Sequence, residues 1–167
     1  MKKTLCLLIL ALGVITLRAQ DYQIPKNYEL NKAEDYAKYE QDVIKTYDWL
    51  METPVSSQPE KRKEACAFLV KWISGCPNIT VDIKPEIVTF IETNPEQLII
   101  FMGGWCKKAL ETKDYTNKEQ GNFAGIEGVI AYYTKNKDLL KKDKDVEKYI
   151  KMKEKGTLKD YVKKKFK

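Results

Sequence analysis

The sequence predicts an all-α fold, a compact irregular bundle of six or seven helices around two central glycine-containing helices. Three observations predict it. Apolar residues recur at three- and four-residue spacing through most of the chain, the period of one helix face. Capping residues, prolines and glycines bracket those stretches at the positions where helices start and stop. And two segments carry Gly103, Gly104, Gly125 and Gly128: the helix at 95–113, whose first half from Leu98 to Cys106 is apolar or glycine on every side, and the mostly apolar helix at 122–135. A helix apolar all round is buried, and glycine costs roughly 1 kcal/mol inside one. Four glycines on two such helices therefore predict that the two cross at close range in the centre of the fold.

The elements follow in order. Lys2 and Lys3 precede an apolar run from Leu5 to Leu17, which closes on Leu17-Arg18-Ala19-Gln20. A positive start, about a dozen apolar residues and a small residue at the end describe a secretory signal peptide, here residues 1–19. The run is shorter than the roughly 20 residues of a membrane span, and no later segment is apolar for long enough to be one. Residues 20–167 are then one helical domain, exported to the periplasm or beyond. Residues 20–30 read as an extended arm. Asn31-Lys32-Ala33-Glu34 has the pattern of a capping box. It opens a helix whose stripe is Tyr36, Val43, Ile44, Tyr47 and Leu50, stopped by Pro54. After a linker at 54–59, Pro59 suits the first turn of a second helix, ended by Gly75 and Pro77. Residues 79–83 alternate and read as extended, and Pro85 opens a short helix through Ile91.

Asn94-Pro95-Glu96-Gln97 combines a cap, a first-turn proline and a reciprocal glutamine, and so begins the first central helix. Asp114 to Gly121 reads as a polar loop, and the second central helix runs from Asn122 to Lys135. Residues 137–167 form two lysine-rich helices, one near 145–155 ended by Gly156 and one capped by Thr157 with Asp160. Their apolar faces predict that both dock on the body.

Charge and rare residues narrow the chemistry. The formal net charge is +6; losing Lys2, Lys3 and Arg18 with the signal lowers it to +3. Residues 135–167 hold 14 lysines against six acidic residues, and residues 20–134 hold 13 basic against 18 acidic ones. An acidic body carries a basic end. There is no histidine, and Arg62 is the single arginine after cleavage. Without imidazole there is no Ser-His or Cys-His pair and no histidine-based zinc site. One guanidinium cannot build the forked phosphate clamps of nucleic-acid readers. No glycine-rich phosphate loop and no metal-ligand set occurs, so the sequence implies no metal and no cofactor.

Few residues remain as functional candidates. Glu127 is the one charged side chain within the apolar part of the second central helix. Burial would raise its pKa and make it a general acid; a solvated rim facing Lys107 and Lys108 is the ordinary role for such a residue. Trp105, Tyr132 and Tyr115 cluster on the central helices and are candidates for a ligand groove, with core packing the competing role. Tyr39 and Trp49 lie off the main stripe of their helix and are candidates for an exposed partner surface. Of the three cysteines in 20–167, Cys66 and Cys76 are roughly 15 Å apart along a helix, beyond the reach of a bridge. Cys76 with Cys106, or Cys66 with Cys106, is the expected disulfide in an oxidising compartment.

The signal ending Ala19-Gln20, the lysine-rich and arginine-poor composition and the small size resemble small exported proteins of Gram-negative bacteria, many without an assigned activity. The resemblance carries no catalytic motif. The leading expectation is a non-enzymatic module that binds an envelope protein or glycan, without nucleic acid. The alternatives are a carboxylate-based enzyme acting on glycan through Glu127, and a surface-associated protein held on an anionic surface by its basic C-terminal helices.

Overall fold

The computed structural model describes residues 22–166, so the signal peptide expected at 1–19 and its expected cleavage site lie outside the described residues. Among the described residues there are seven α-helices: α1 (Ala33–Lys38), α2 (Glu40–Glu52), α3 (Pro59–Gly75), α4 (Glu96–Thr112), α5 (Lys118–Lys135), α6 (Lys144–Glu154) and α7 (Leu158–Lys165). A 3-10 turn at Thr89–Glu92 precedes α4, and there is no strand among the described residues. The helical bundle expected from the sequence is the fold.

α4 and α5 form its centre and share its most extensive contact. Gly104 abuts Ala124 and Gly125, while Ile100 approaches Gly128, so the two helices run antiparallel. A methyl group on Gly125 would sit 2.8 Å from the Phe101 carbonyl oxygen, a distance that leaves no room for a side chain. Close approach of the backbones is thus the compensation for glycine in these helices. Tyr47 of α2 lies in the notch formed by Gly103, Gly104 and Gly128. Ile100, Phe101, Trp105, Ile126, Val129 and Tyr132 are wholly buried around this crossing; a large apolar side chain buried this way contributes about 1.5–3 kcal/mol.

The remaining elements cover the central pair. α2 packs on α4 and carries α3 on its other side, and α6 and α7 pack on α5. The arm is extended and tied down: Ile24 is buried, and the Tyr22 hydroxyl donates to the Asp42 carbonyl at 3.0 Å. Val146 and Tyr149 of α6 and Leu158 and Val162 of α7 are buried, so the lysine-rich helices dock as their apolar faces predict. Gly156, with φ +68°, turns the chain between them.

Several local expectations are corrected. The first helix is two helices, broken at Tyr39, and its cap is one residue later than Asn31. The Asp35 carboxylate, not Glu34, accepts the Asn31 and Lys32 amides, each at 3.2 Å. Residues 79–83 join no sheet, and Pro85 begins turns instead of a regular helix. Asn94 does not cap α4. Its amide is held by Lys141, donating to that carbonyl at 3.0 Å and accepting from that amide at 3.2 Å. Gln97 is fully buried with both amide atoms unpartnered among the described residues, so it makes no reciprocal bond. α5 starts four residues earlier than expected, because Asn117 is its cap and accepts from the Gln120 amide at 3.0 Å. Gly121 therefore lies inside the helix, pressed against Trp105. The Thr157 hydroxyl turns back to the Met152 carbonyl at 3.3 Å instead of capping α7.

Candidate functional site

An open groove of about 490 Å³ runs along the outer side of α5. Gln120, Phe123, Ala124 and Glu127 line it from α5, at the three- and four-residue spacing that puts side chains on one helix face. Lys108 enters from α4 and Lys159 from the first turn of α7, with Asn117 and Glu119 closing the end near the α5 cap. The groove exists because α7 docks beside α5, leaving the small Ala124 and the half-buried Phe123 as its floor.

Glu127 thus lies in this groove, but in the rim environment. Its carboxylate pairs with Lys153 of α6 at 2.8 Å, and its side chain is 39% exposed. Lys107, expected beside it, instead pairs with Asp48 at 2.5 Å and Glu111 at 3.7 Å. The second carboxylate of the groove is Glu119, eight residues earlier on α5 and so roughly 12 Å away along the axis. Glycosidase pairs stand about 5–9.5 Å apart. Glu92, Glu96, Glu111 and Asp114 do not line the groove. This geometry offers charged contacts and no desolvated acid.

The aromatic candidates lie elsewhere. Trp105 and Tyr132 are fully buried, and Tyr115 is half-buried in the loop before α5 and does not line the groove. The Tyr132 hydroxyl donates to Glu96 at 3.0 Å; burial, and then the Glu96 charge, push its pKa up. Trp49 is not an exposed surface residue: it is 2% exposed. Lys61 stands 4.9 Å and Arg62 5.8 Å from its ring centroid. Tyr39 is half-buried, packed edge-on against Phe68 at 6.2 Å and against Tyr28. The reason is that α2 is buried on two sides: Val43, Tyr47 and Leu50 face inward, while Trp49 meets α3.

Arg62 is the hub of a buried polar cluster. It pairs with Glu96 at 2.5 Å and donates to the Thr53 and Pro54 carbonyls at 2.6 and 3.1 Å. The cluster ties α3, α4 and α5 to the end of α2. It is closed to solvent on the Arg62 side, where the side chain is 6% exposed. Its role is therefore to hold the fold.

The expected disulfide is absent among the described residues. Cys66, Cys76 and Cys106 are free thiols. Cys66 sits beside Glu96 and Arg62, while Cys106 has Cys76 as its ionisable neighbour. Burial pushes the Cys66 thiol up to about 11 and those of Cys76 and Cys106 upward as well. Since the thiolate is the reactive form, alkylation of the native protein by iodoacetamide is expected to be slow at neutral pH. It accelerates for Cys66 as pH rises toward 11, and all three react at once in denaturant. Mass spectrometry of quenched samples checks this; fast labelling of Cys106 at neutral pH would contradict its burial.

Among the described residues, no group of three His, Cys, Asp or Glu side chains is placed to hold a metal ion, and no helix is long and apolar enough to cross a membrane. Gln120, Phe123 and Lys159 are groove residues that the sequence did not single out. A spacing of three or four residues from Glu127 back along α5 was the one local signal for the first two. No protein-family model matches this chain, and no curated protein and no solved structure matches it either.

Proposed function

We propose that this chain is an exported binding module of the cell envelope, and that the groove between α4, α5 and α7 is its contact surface. One observation carries the reading. Lys108 and Lys159 project into the groove with no carboxylate within 4.0 Å among the described residues, whereas Lys107, Lys113, Lys118 and Lys153 are all paired. Unmatched charge beside an apolar floor suits recognition of an external partner. The absence of histidine from the sequence and the paired, solvated state of Glu127 favour binding over carboxylate chemistry.

The test is a photo-crosslinking side chain placed at Gln120 in the groove and, separately, at Lys71, which is exposed on α3. In intact cells of the native host, a discrete adduct is expected from the first position and none from the second. Equal adducts at both positions, or none at Gln120, would remove the groove as the contact surface.

A further inference from the structure

Resting on that binding reading, we infer that the groove takes a strand of acidic polysaccharide. The charge on this side of the molecule is the first observation. Lys144, Lys151, Lys155, Lys159, Lys163 and Lys164 on or between α6 and α7 are exposed and have no carboxylate within 4.0 Å among the described residues. Lys148 and Lys165 lie over the Tyr161 ring, at 5.9 and 5.6 Å from its centroid. Lys159 and Lys163 share one face of α7, a turn apart. The lysines of the groove thus continue into a lysine-bearing surface. Surface lysines held unpaired in this way raise the local concentration of a polyanion.

The groove itself selects the kind of polyanion. Within it Glu127 is already neutralised by Lys153, so Lys108 and Lys159 face the single carboxylate of Glu119. The floor offers the half-buried ring of Phe123. Beside it is the half-buried Gln120 amide, 3.5 Å from the Thr112 hydroxyl, which itself donates to the Lys108 carbonyl at 2.8 Å. A ring face next to a side-chain amide, which can both donate and accept, matches a sugar, which presents a C–H face and hydroxyls on one unit. Carboxylates repeated along the strand would meet Lys108 and Lys159. The groove is open and, apart from Phe123 and Ala124, lined by polar and charged residues, which suits a sugar better than the aromatic anchor of a protein partner or an acyl chain.

The experiment titrates the protein with three probes, followed by amide chemical shifts and calorimetry. They are a short oligogalacturonate, a neutral galactan fragment of equal length, and phosphatidylglycerol vesicles. The oligogalacturonate is expected to bind with shifts centred on Gln120 and Phe123, to weaken as salt rises, and to lose about tenfold in affinity in Lys108→Gln/Lys159→Glu. The Lys71→Glu control is expected to bind unchanged. Equal binding of the galactan fragment, no binding of either sugar, or full affinity in the double variant would overturn the inference. Vesicle binding without sugar binding would also overturn it, assigning the lysine surface to lipid instead. If groove adducts form in cells while oligogalacturonate fails to bind, the binding reading stands and the acidic-polysaccharide assignment alone falls.

Discussion

Gly125→Ala is expected to destabilise the protein by about 2 kcal/mol, even though alanine is the better helix former. At Gly125 the added methyl would lie 2.7 and 2.8 Å from Phe101 ring carbons and 2.8 Å from the Phe101 carbonyl oxygen. Phe101 is fully buried, so its ring has nowhere to swing, and the oxygen belongs to a helix backbone. Relief requires α4 and α5 to separate, which loosens the packing of the whole centre. Helix propensity returns roughly 1 kcal/mol, and overpacking a filled core costs about 1–3 kcal/mol and occasionally more. The second term wins here because a backbone atom is among the clashing partners. Gly75→Ala is the control. There the methyl meets the hydroxyl and two ring carbons of the half-buried Tyr36 but no backbone atom, so relief costs the Tyr36 hydrogen bond to the Leu30 carbonyl at 3.3 Å and leaves the helix crossing in place; the loss is expected to be smaller than at Gly125. Urea unfolding followed by circular dichroism should show the midpoint falling for Gly125→Ala at constant slope, and falling less for Gly75→Ala. If both variants unfold at the same midpoint, tight crossing is not what the central glycines provide.

That crossing was legible in the sequence because its signal is local: glycine inside an apolar helical period is costly unless a neighbouring backbone needs the space. The helix ends were legible only where the chain settles them alone. Asn117 caps α5 by itself, but nothing apolar follows it for several residues, which hid the start. Asn94 has the look of a cap, yet its amide is claimed by the Lys141 backbone, 47 positions away. A partner at that separation leaves no local mark. Trp49 failed for a related reason. A single stripe suffices for a helix at the edge of a bundle, while α2 is sandwiched, and its second side shows itself only once Arg62 of α3 is placed against the ring. The groove is the extreme case. Its residues come from α4, α5 and α7, and of these only Glu127 was marked by a contrast with its own neighbours.

Arg62→Ala is the substitution expected to cost most, about 3–5 kcal/mol, the range for leaving a buried ionic partner uncompensated. Its guanidinium reaches three acceptors on two elements: Glu96 on α4, and the Thr53 and Pro54 carbonyls after α2. Alanine would strip a donor from each. It would also leave the Glu96 carboxylate, 26% exposed, facing the Tyr132 hydroxyl as its one remaining partner among the described side chains. The Trp49 ring would lose one of its two cations and keep Lys61. Two further variants separate charge from shape. Arg62→Lys keeps the charge but has no planar fork to span Glu96 and the carbonyls together, so it is expected to recover only part of the loss. Tyr132→Phe deletes one hydrogen bond to the same carboxylate and is expected to cost about 1 kcal/mol. Because Arg62 and Tyr132 share Glu96, the double variant should lose less than the two single losses combined. Salt should change these differences little, since the pair is largely shielded from solvent. Wild-type stability in Arg62→Lys would show that charge alone suffices there. Strict additivity with Tyr132→Phe would show that the three side chains do not act as one unit, and that α3, α4 and α5 are held together by apolar packing without them.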